Sequence, residues 1–388
     1  MNRPVALLDI DKTLLFNAND LNENLLNALN RNGIKDIYLF SDMRFRVLET
    51  EERIELIKKL EAKGFTVHGI ITPCDLVWNQ MTRENAHRFD QLLVKARETG
   101  EKEYLYTDNE FDDFISKLRE DNPFLDNLLE YQPDKNTPGA AFQAARKDFE
   151  KLTAKDGSVP MPNGLLERST FAKGFADRLA NRMNYKHTKA LMLDLFLKYK
   201  PDWVSDILIA DDLTAVIESI KEYREQQSPD LAIATLLVTN KLNNRDLYPD
   251  QSAEEYDNAL AAIALLTRIA AQIDTLEQSS IFLRNPELKI KAFQNLRSEL
   301  VSAFNGNTEA IVGDLIQNWE HSLPIAGNQF KNLTASEIIA QHRNFFFSTD
   351  RKNTETSTQI FITDLKKDFG STTFNKDADS SLSHCQGA

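Results

Sequence analysis

The chain has 388 residues, 41% hydrophobic and 27% charged, enough for two or three packed units with sizeable cores. Lys and Arg number 46 against 59 Asp and Glu, a net charge of −13 that repels phosphate backbones and argues against a nucleic-acid partner. Two cysteines, Cys74 and Cys385, exclude a disulfide framework or thiolate zinc site, and six scattered histidines offer no metal-ligand spacing.

Chain order begins with β-α-β rhythm. Pro4–Leu8 is a continuous apolar run, which predicts a strand covered on both faces. A helix follows from about Asp20, with Leu21, Leu25, Leu26 and Leu29 on one face and Gly33 at its end. Ile37–Phe40 predicts a second buried strand, closing on Ser41-Asp42. Glu49–Lys63 predicts a helix with Ile54, Ile57 and Leu60 inward, and Phe65–Ile71 a third strand. The lack of an apolar signal core before Asp9 predicts a cytoplasmic protein, with export by a non-Sec route left open.

Strand signals then vanish. Arg83–Glu98, Asn109–Glu120, Gly139–Leu152 and Arg168–Met183 predict helices, joined by turns such as Asp156-Gly157 and Pro160-Met161-Pro162. The α/β rhythm resumes with helix Thr188–Tyr199, strand Asp206–Ala210 running into Asp211-Asp212, helix Leu213–Gln226 and strand Leu231–Val238. Together these predict an α/β fold with a doubly wound parallel sheet, built from 1–79 and 187–245 and carrying a helical insertion over 80–186.

After Pro249 the pattern is helical, with apolar stripes in Glu254–Glu277, Pro286–Phe304, Thr308–Leu323 and Ser336–Phe347. A helical bundle over 250–348 follows, and the polar tail 349–388 is expected to be poorly ordered. The longest apolar stretch, Leu260–Ile273, is broken by Thr267 and Arg268, so no transmembrane segment is expected.

In an open parallel sheet, reactive groups gather at the carboxyl ends of the strands. Those ends carry Asp9-Ile10-Asp11-Lys12-Thr13, then Ser41, then Asp211 and Asp212, with Lys189 at the start of the preceding helix. The order apolar strand-D-x-D-x-T, apolar strand-S/T, Lys, apolar strand-D-D resembles the motifs of the haloacid dehalogenase-like hydrolase superfamily. The resemblance covers about 1–245, less the insertion, and the insertion takes the place of the family's cap.

The resemblance implies a phosphatase or phosphomutase with Asp9 as nucleophile, forming an aspartyl-phosphate. Asp11 would protonate the leaving oxygen and later activate water. Ser41 and Lys189 would hold the phosphoryl oxygens, and Thr13 would help orient Asp9. Mg²⁺ would sit between the carboxylates of Asp9, Asp211 and Asp212 and the backbone carbonyl of Asp11. Read without the family, the aspartates are helix caps, Ser41 a turn hydroxyl and Lys189 a solvated lysine, with Lys186 its competitor for the phosphate.

The substrate expected is a phosphomonoester, either a small metabolite or a phosphoprotein. Arg83, Arg88, Lys95, Arg97, Arg146 and Lys147 of the insertion are candidates to meet a second phosphate or an acidic partner. In general character the chain is also similar to phosphatases that pathogenic bacteria deliver into host cells by type IV secretion. The alternative is a catalytically weak scaffold that binds a protein partner through its helical domains.

Overall fold

A computed structural model describes residues 2–17, 20–45, 47–76, 138–156, 165–182, 184–227, 229–243, 245–278, 286–306, 310–323, 333–341 and 355–374. Its centre is a five-stranded parallel sheet of β1 (Arg3–Leu8), β4 (Asp36–Phe40), β5 (Thr66–Ile71), β6 (Val204–Asp211) and β7 (Ile233–Leu237). The spatial order is β5-β4-β1-β6-β7, a Rossmann-like α/β arrangement with the first strand in the middle. Continuous Val, Ile and Leu runs make these strands because both faces are covered: Val5 to Leu8 and Ile207 to Ala210 are buried throughout.

Helices are found at six of the expected places between residues 20 and 227. They are α1 (Glu23–Arg31), α2 (Val47–Ala62), α3 (Ala140–Asp156), α4 (Leu165–Arg182), α5 (Thr188–Tyr199) and α6 (Thr214–Gln227). Of the insertion, α3 and α4 correspond to the two later predicted helices, whereas Arg83–Glu98 and Asn109–Glu120 lie outside the described residues. Helix α3 is seated hard against β5. Gly139 has φ +83 and packs so closely that a Cβ would meet Ile70 backbone atoms at 3.2 Å. Asp75, just past β5, accepts from Thr72 N–H at 2.8 Å and Ala141 N–H at 3.3 Å, a second tie between sheet and insertion.

The carboxyl-terminal part holds α7 (Ala253–Gln278), α8 (Pro286–Asn305), α9 (Val312–His321), α10 (Ala335–Ile339) and α11 (Ser357–Phe369). Parallel β-α-β connections run right-handed as a rule, which for this strand order places α1 and α6 on opposite faces and leaves β6 and β7 without a crossover helix on the α1 side. Helix α7 fills that gap, packing against α1, β1, β6 and β7. By length and composition alone α7 is apolar enough to cross a bilayer, although Thr267 and Arg268 interrupt its Leu260–Ile273 stretch. Here its stripe of Tyr256, Leu260, Ile263 and Leu266 is buried in the protein.

Polar ties reinforce this seam. Arg31 pairs with Asp257 at 2.6 Å, Asn22 Nδ2 donates to Tyr256 Oη at 3.1 Å, and Arg297 of α8 pairs with buried Asp206 at 2.5 Å.

Two elements depart from the sequence expectation. A β-hairpin, β8 (Asn240–Asn243) and β9 (Asp246–Pro249), occupies a stretch for which no strand was expected. The tail expected to be loose from 349 instead contains α11, with Ile362 and Leu365 buried, and β11 (Thr373–Phe374), which pairs with β10 (Ala310–Ile311). A Thr356/Gln359 capping box starts α11, satisfying backbone donors that would otherwise be orphaned. A short hairpin, β2 (Leu15–Phe16) with β3 (Asp20–Leu21), follows the first strand.

Candidate functional site

Three strand ends converge beside β1, where the chain order reverses and the flanking loops diverge. Asp9 N–H donates to Ala210 O at 2.9 Å, so the Asp9 carboxylate emerges where β1 and β6 finish together. The chain then turns sharply. Lys12 sits at φ 64, and the N–H groups of Leu14 and Leu15 both donate to Ile10 O. Asp211 ends β6, its Oδ1 accepting from Leu213 N–H at 2.9 Å.

Lys189 is delivered by the first turn of α5. His187, in extended conformation, caps that helix by accepting from Lys189 N–H through Nδ1 at 3.2 Å. Thr188 Oγ1 donates to Asp177 Oδ1, tying the same turn to α4. The Lys189 side chain is thereby turned inward and is only 3% exposed. Its Nζ lies 2.5 Å from Asp9 Oδ1 and 2.5 Å from Asp211 Oδ2.

Electrostatics follow from that contact. Burial opposes the Lys189 charge, but Asp9 and Asp211 outweigh it and hold the ammonium above its ordinary pKa. Burial lifts Asp9 from 3.8 to about 6, with Lys189 pulling down and Asp211 pushing further up. Asp211 and Asp212 are raised as well, by burial first, and for Asp212 by the Asp9 charge next. Lys189 answers only part of this concentrated negative charge.

Ligand oxygens of Asp9, Asp211 and Asp212 all lie within 4.8 Å of one another, a group among the described residues able to hold a metal ion. An all-carboxylate donor set with excess negative charge suits a hard divalent cation better than a soft one. The Asp11 carboxylate, as distinct from the backbone carbonyl expected as a ligand, lies outside this group. That side chain is 71% exposed, and Arg53 Nη2 holds it at 2.9 Å from Oδ1 and 3.0 Å from Oδ2.

Ser41 is buried at the end of β4 and lines the same cavity of about 480 Å³ as Asp9, Asp11, Lys189 and Asp212. Thr13 does not join them. It is fully buried, its Oγ1 has no hydrogen-bond partner, and its carbonyl accepts from Asn22 Nδ2, so it makes no hydrogen bond to Asp9. Between the two candidate lysines the geometry is decisive: Lys186 points outward to Glu222 at 2.6 Å and Glu218 at 3.5 Å. Of the insertion's candidate cations, Arg146 pairs with Glu150 along α3 and Lys147 is exposed, neither lining the cavity. Arg83, Arg88, Lys95 and Arg97 lie outside the described residues.

Sequence reasoning missed several lining residues. Lys173 of α4 reaches Asp42 at 3.5 Å, and His187 Nε2 lies 3.7 Å from the same carboxylate. Burial lowers the His187 pKa against the pull of Asp42. Arg53 had a readable signal: with Thr50, Ile54, Ile57 and Leu60 it falls on the buried stripe of α2, where an unpaired charge is costly. Comparison with protein-family models, curated proteins and solved structures finds no match for this chain.

Proposed function

We propose that this chain is a phosphohydrolase of the haloacid dehalogenase-like type, cleaving a phosphomonoester through a covalent aspartyl-phosphate on Asp9. The observation that carries the reading is Lys189 Nζ standing between Asp9 and Asp211, residues 180 and 22 positions away in the chain. A structural role alone gives little reason to bury two carboxylates and a lysine at the switch point of a parallel sheet, with a third carboxylate alongside.

In this reading Asp9, with a pKa of about 6, is ionised at neutral pH and attacks phosphorus. The bond to the leaving oxygen breaks as the Asp9–phosphorus bond forms. Lys189 and the Ser41 hydroxyl hold the phosphoryl oxygens and oppose their charge. Asp11, at the cavity mouth, gives its proton to the leaving oxygen and later takes one from the water that hydrolyses the acyl-phosphate. Arg53 keeps the Asp11 carboxylate at that mouth between these steps. Mg²⁺ fits the carboxylate donor set of Asp9, Asp211 and Asp212, and when bound supplies positive charge against the phosphoryl group.

The test is hydrolysis of an aryl phosphate by the purified full chain with Mg²⁺. Turnover that disappears in Asp9→Asn and on chelation supports the reading. No turnover in the parent protein, or turnover that survives Asp9→Asn, sinks it and favours a binding scaffold.

A further inference from the structure

We infer that the substrate carries a second anionic group beside its phosphoryl group, and that Arg44 recognises it. This rests on the phosphohydrolase reading above and narrows it to a class of small, doubly anionic phosphomonoesters. The other cations of the cavity already serve carboxylates. Lys189 holds Asp9 and Asp211, Arg53 holds Asp11, and Lys173 faces Asp42. Lys12 lies near enough to Asp212 to draw its carboxyl down, against the larger opposing effect of burial. Arg44 is half-buried, lines the same cavity, and makes no ion pair or hydrogen bond among the described residues.

Its position is built rather than incidental. Met43 and Phe45 on either side are buried, at 8% and 0% exposure, so the backbone between them is pinned. Phe45 N–H donates to Ser169 Oγ of α4 at 2.9 Å, and the Phe45 ring meets Phe142 of α3 at 6.1 Å between centroids. Arg44 therefore stands where the sheet meets the insertion, three residues past Ser41, as part of the cavity lining. A partly desolvated guanidinium without a carboxylate is costly to maintain in a chain this acidic. Its planar fork suits a carboxylate or phosphate, which would supply the missing partner. A cavity of about 480 Å³ accommodates such a small molecule.

The experiment compares kcat/KM for ethyl phosphate, phosphoglycolate and ethanediol bisphosphate, which differ in lacking or bearing a second carboxylate or phosphate. The parent protein is expected to prefer one or both doubly charged substrates over ethyl phosphate by about ten- to a hundredfold, the size of a charge-assisted contact. Arg44→Gln collapses that ratio towards one, and Arg44→Lys, keeping the charge without the fork, retains part of it. Phosphoglycolate preferred alone identifies a carboxylate; the bisphosphate preferred alone identifies a phosphate. A parent ratio near one, or a ratio unmoved by Arg44→Gln, overturns the inference while leaving the hydrolase reading intact. Failure to hydrolyse any of the three overturns both.

Discussion

Arg53 grips Asp11 through a single nitrogen placed between the two carboxylate oxygens, the guanidinium buried and the carboxylate in solvent. Asp11 thus makes little contribution to packing, and its value lies in where it is held. Asp11→Asn is expected to lower aryl-phosphate turnover by about a hundred- to ten-thousandfold, the usual range for a lost acid–base group. Stability should fall by about 1–2 kcal/mol, because the buried Arg53 guanidinium keeps an acceptor but loses its counter-charge. Steady-state kinetics and a urea melt on the same sample check both halves. A full loss of turnover with a large loss of stability would mean that Asp11 acts through the fold.

Lys189 is the opposite case, a residue on which chemistry and stability both depend. Lys189→Met leaves Asp9 and Asp211 buried without their cation, and removing one member of a buried pair typically costs about 3–5 kcal/mol. Adding Asp9→Asn to this variant removes one of the stranded charges. The double variant is expected to recover stability relative to Lys189→Met alone, with a coupling of about 1–3 kcal/mol. Urea unfolding at pH 7 of the parent, both single variants and the double variant measures it. Simple additivity would show that the 2.5 Å contact carries no coupling energy.

Lys289, in α8, supplies a pH signature far from the site. Its Nζ is buried against Gln341 O at 2.5 Å, Ile339 O at 3.3 Å and Thr358 Oγ1 at 3.4 Å, with no carboxylate among these partners. Burial lowers its pKa from 10.5 to about 8. Between these values the unfolded chain binds more protons than the folded one, so stability rises with pH. Below about 8 that gain is lost, because both states are charged and only the folded one pays the desolvation cost. Lys289→Met should therefore flatten the alkaline limb. The melting temperature of the parent should gain on that of the variant from pH 8 to 10, and parallel curves would refute the assignment.

What was legible in the sequence was local. β1, β4 and β6 each contain an apolar run that leads into carboxylates or a hydroxyl, so the strands and the groups at their ends could be read together. The hairpin β8–β9 escaped because Asn240, Asn243 and Asn244 read as loop, and its pairing depends on its neighbours; Asn17, for one, exchanges hydrogen bonds with the backbone of Leu247. Helix α11 escaped because Ile362 and Leu365 sit among Thr, Asp and Lys, although Thr356-x-x-Gln359 was a usable start signal.

Long-range contacts set the remainder. Nothing near Lys173 or Arg44 in the chain announces that they share a wall with Asp9. The Thr13 hydroxyl likewise has no hydrogen-bond partner, because position in a motif does not by itself supply one.

Helix α7 has a consequence for how the molecule can be dissected. Because it lies on β1, β6 and β7, cutting the chain near residue 250 would bare the apolar back of the very strands that carry Asp9 and Asp211. The smallest fragment able to keep those two carboxylates in register must retain this helix, whatever task the helices beyond it perform.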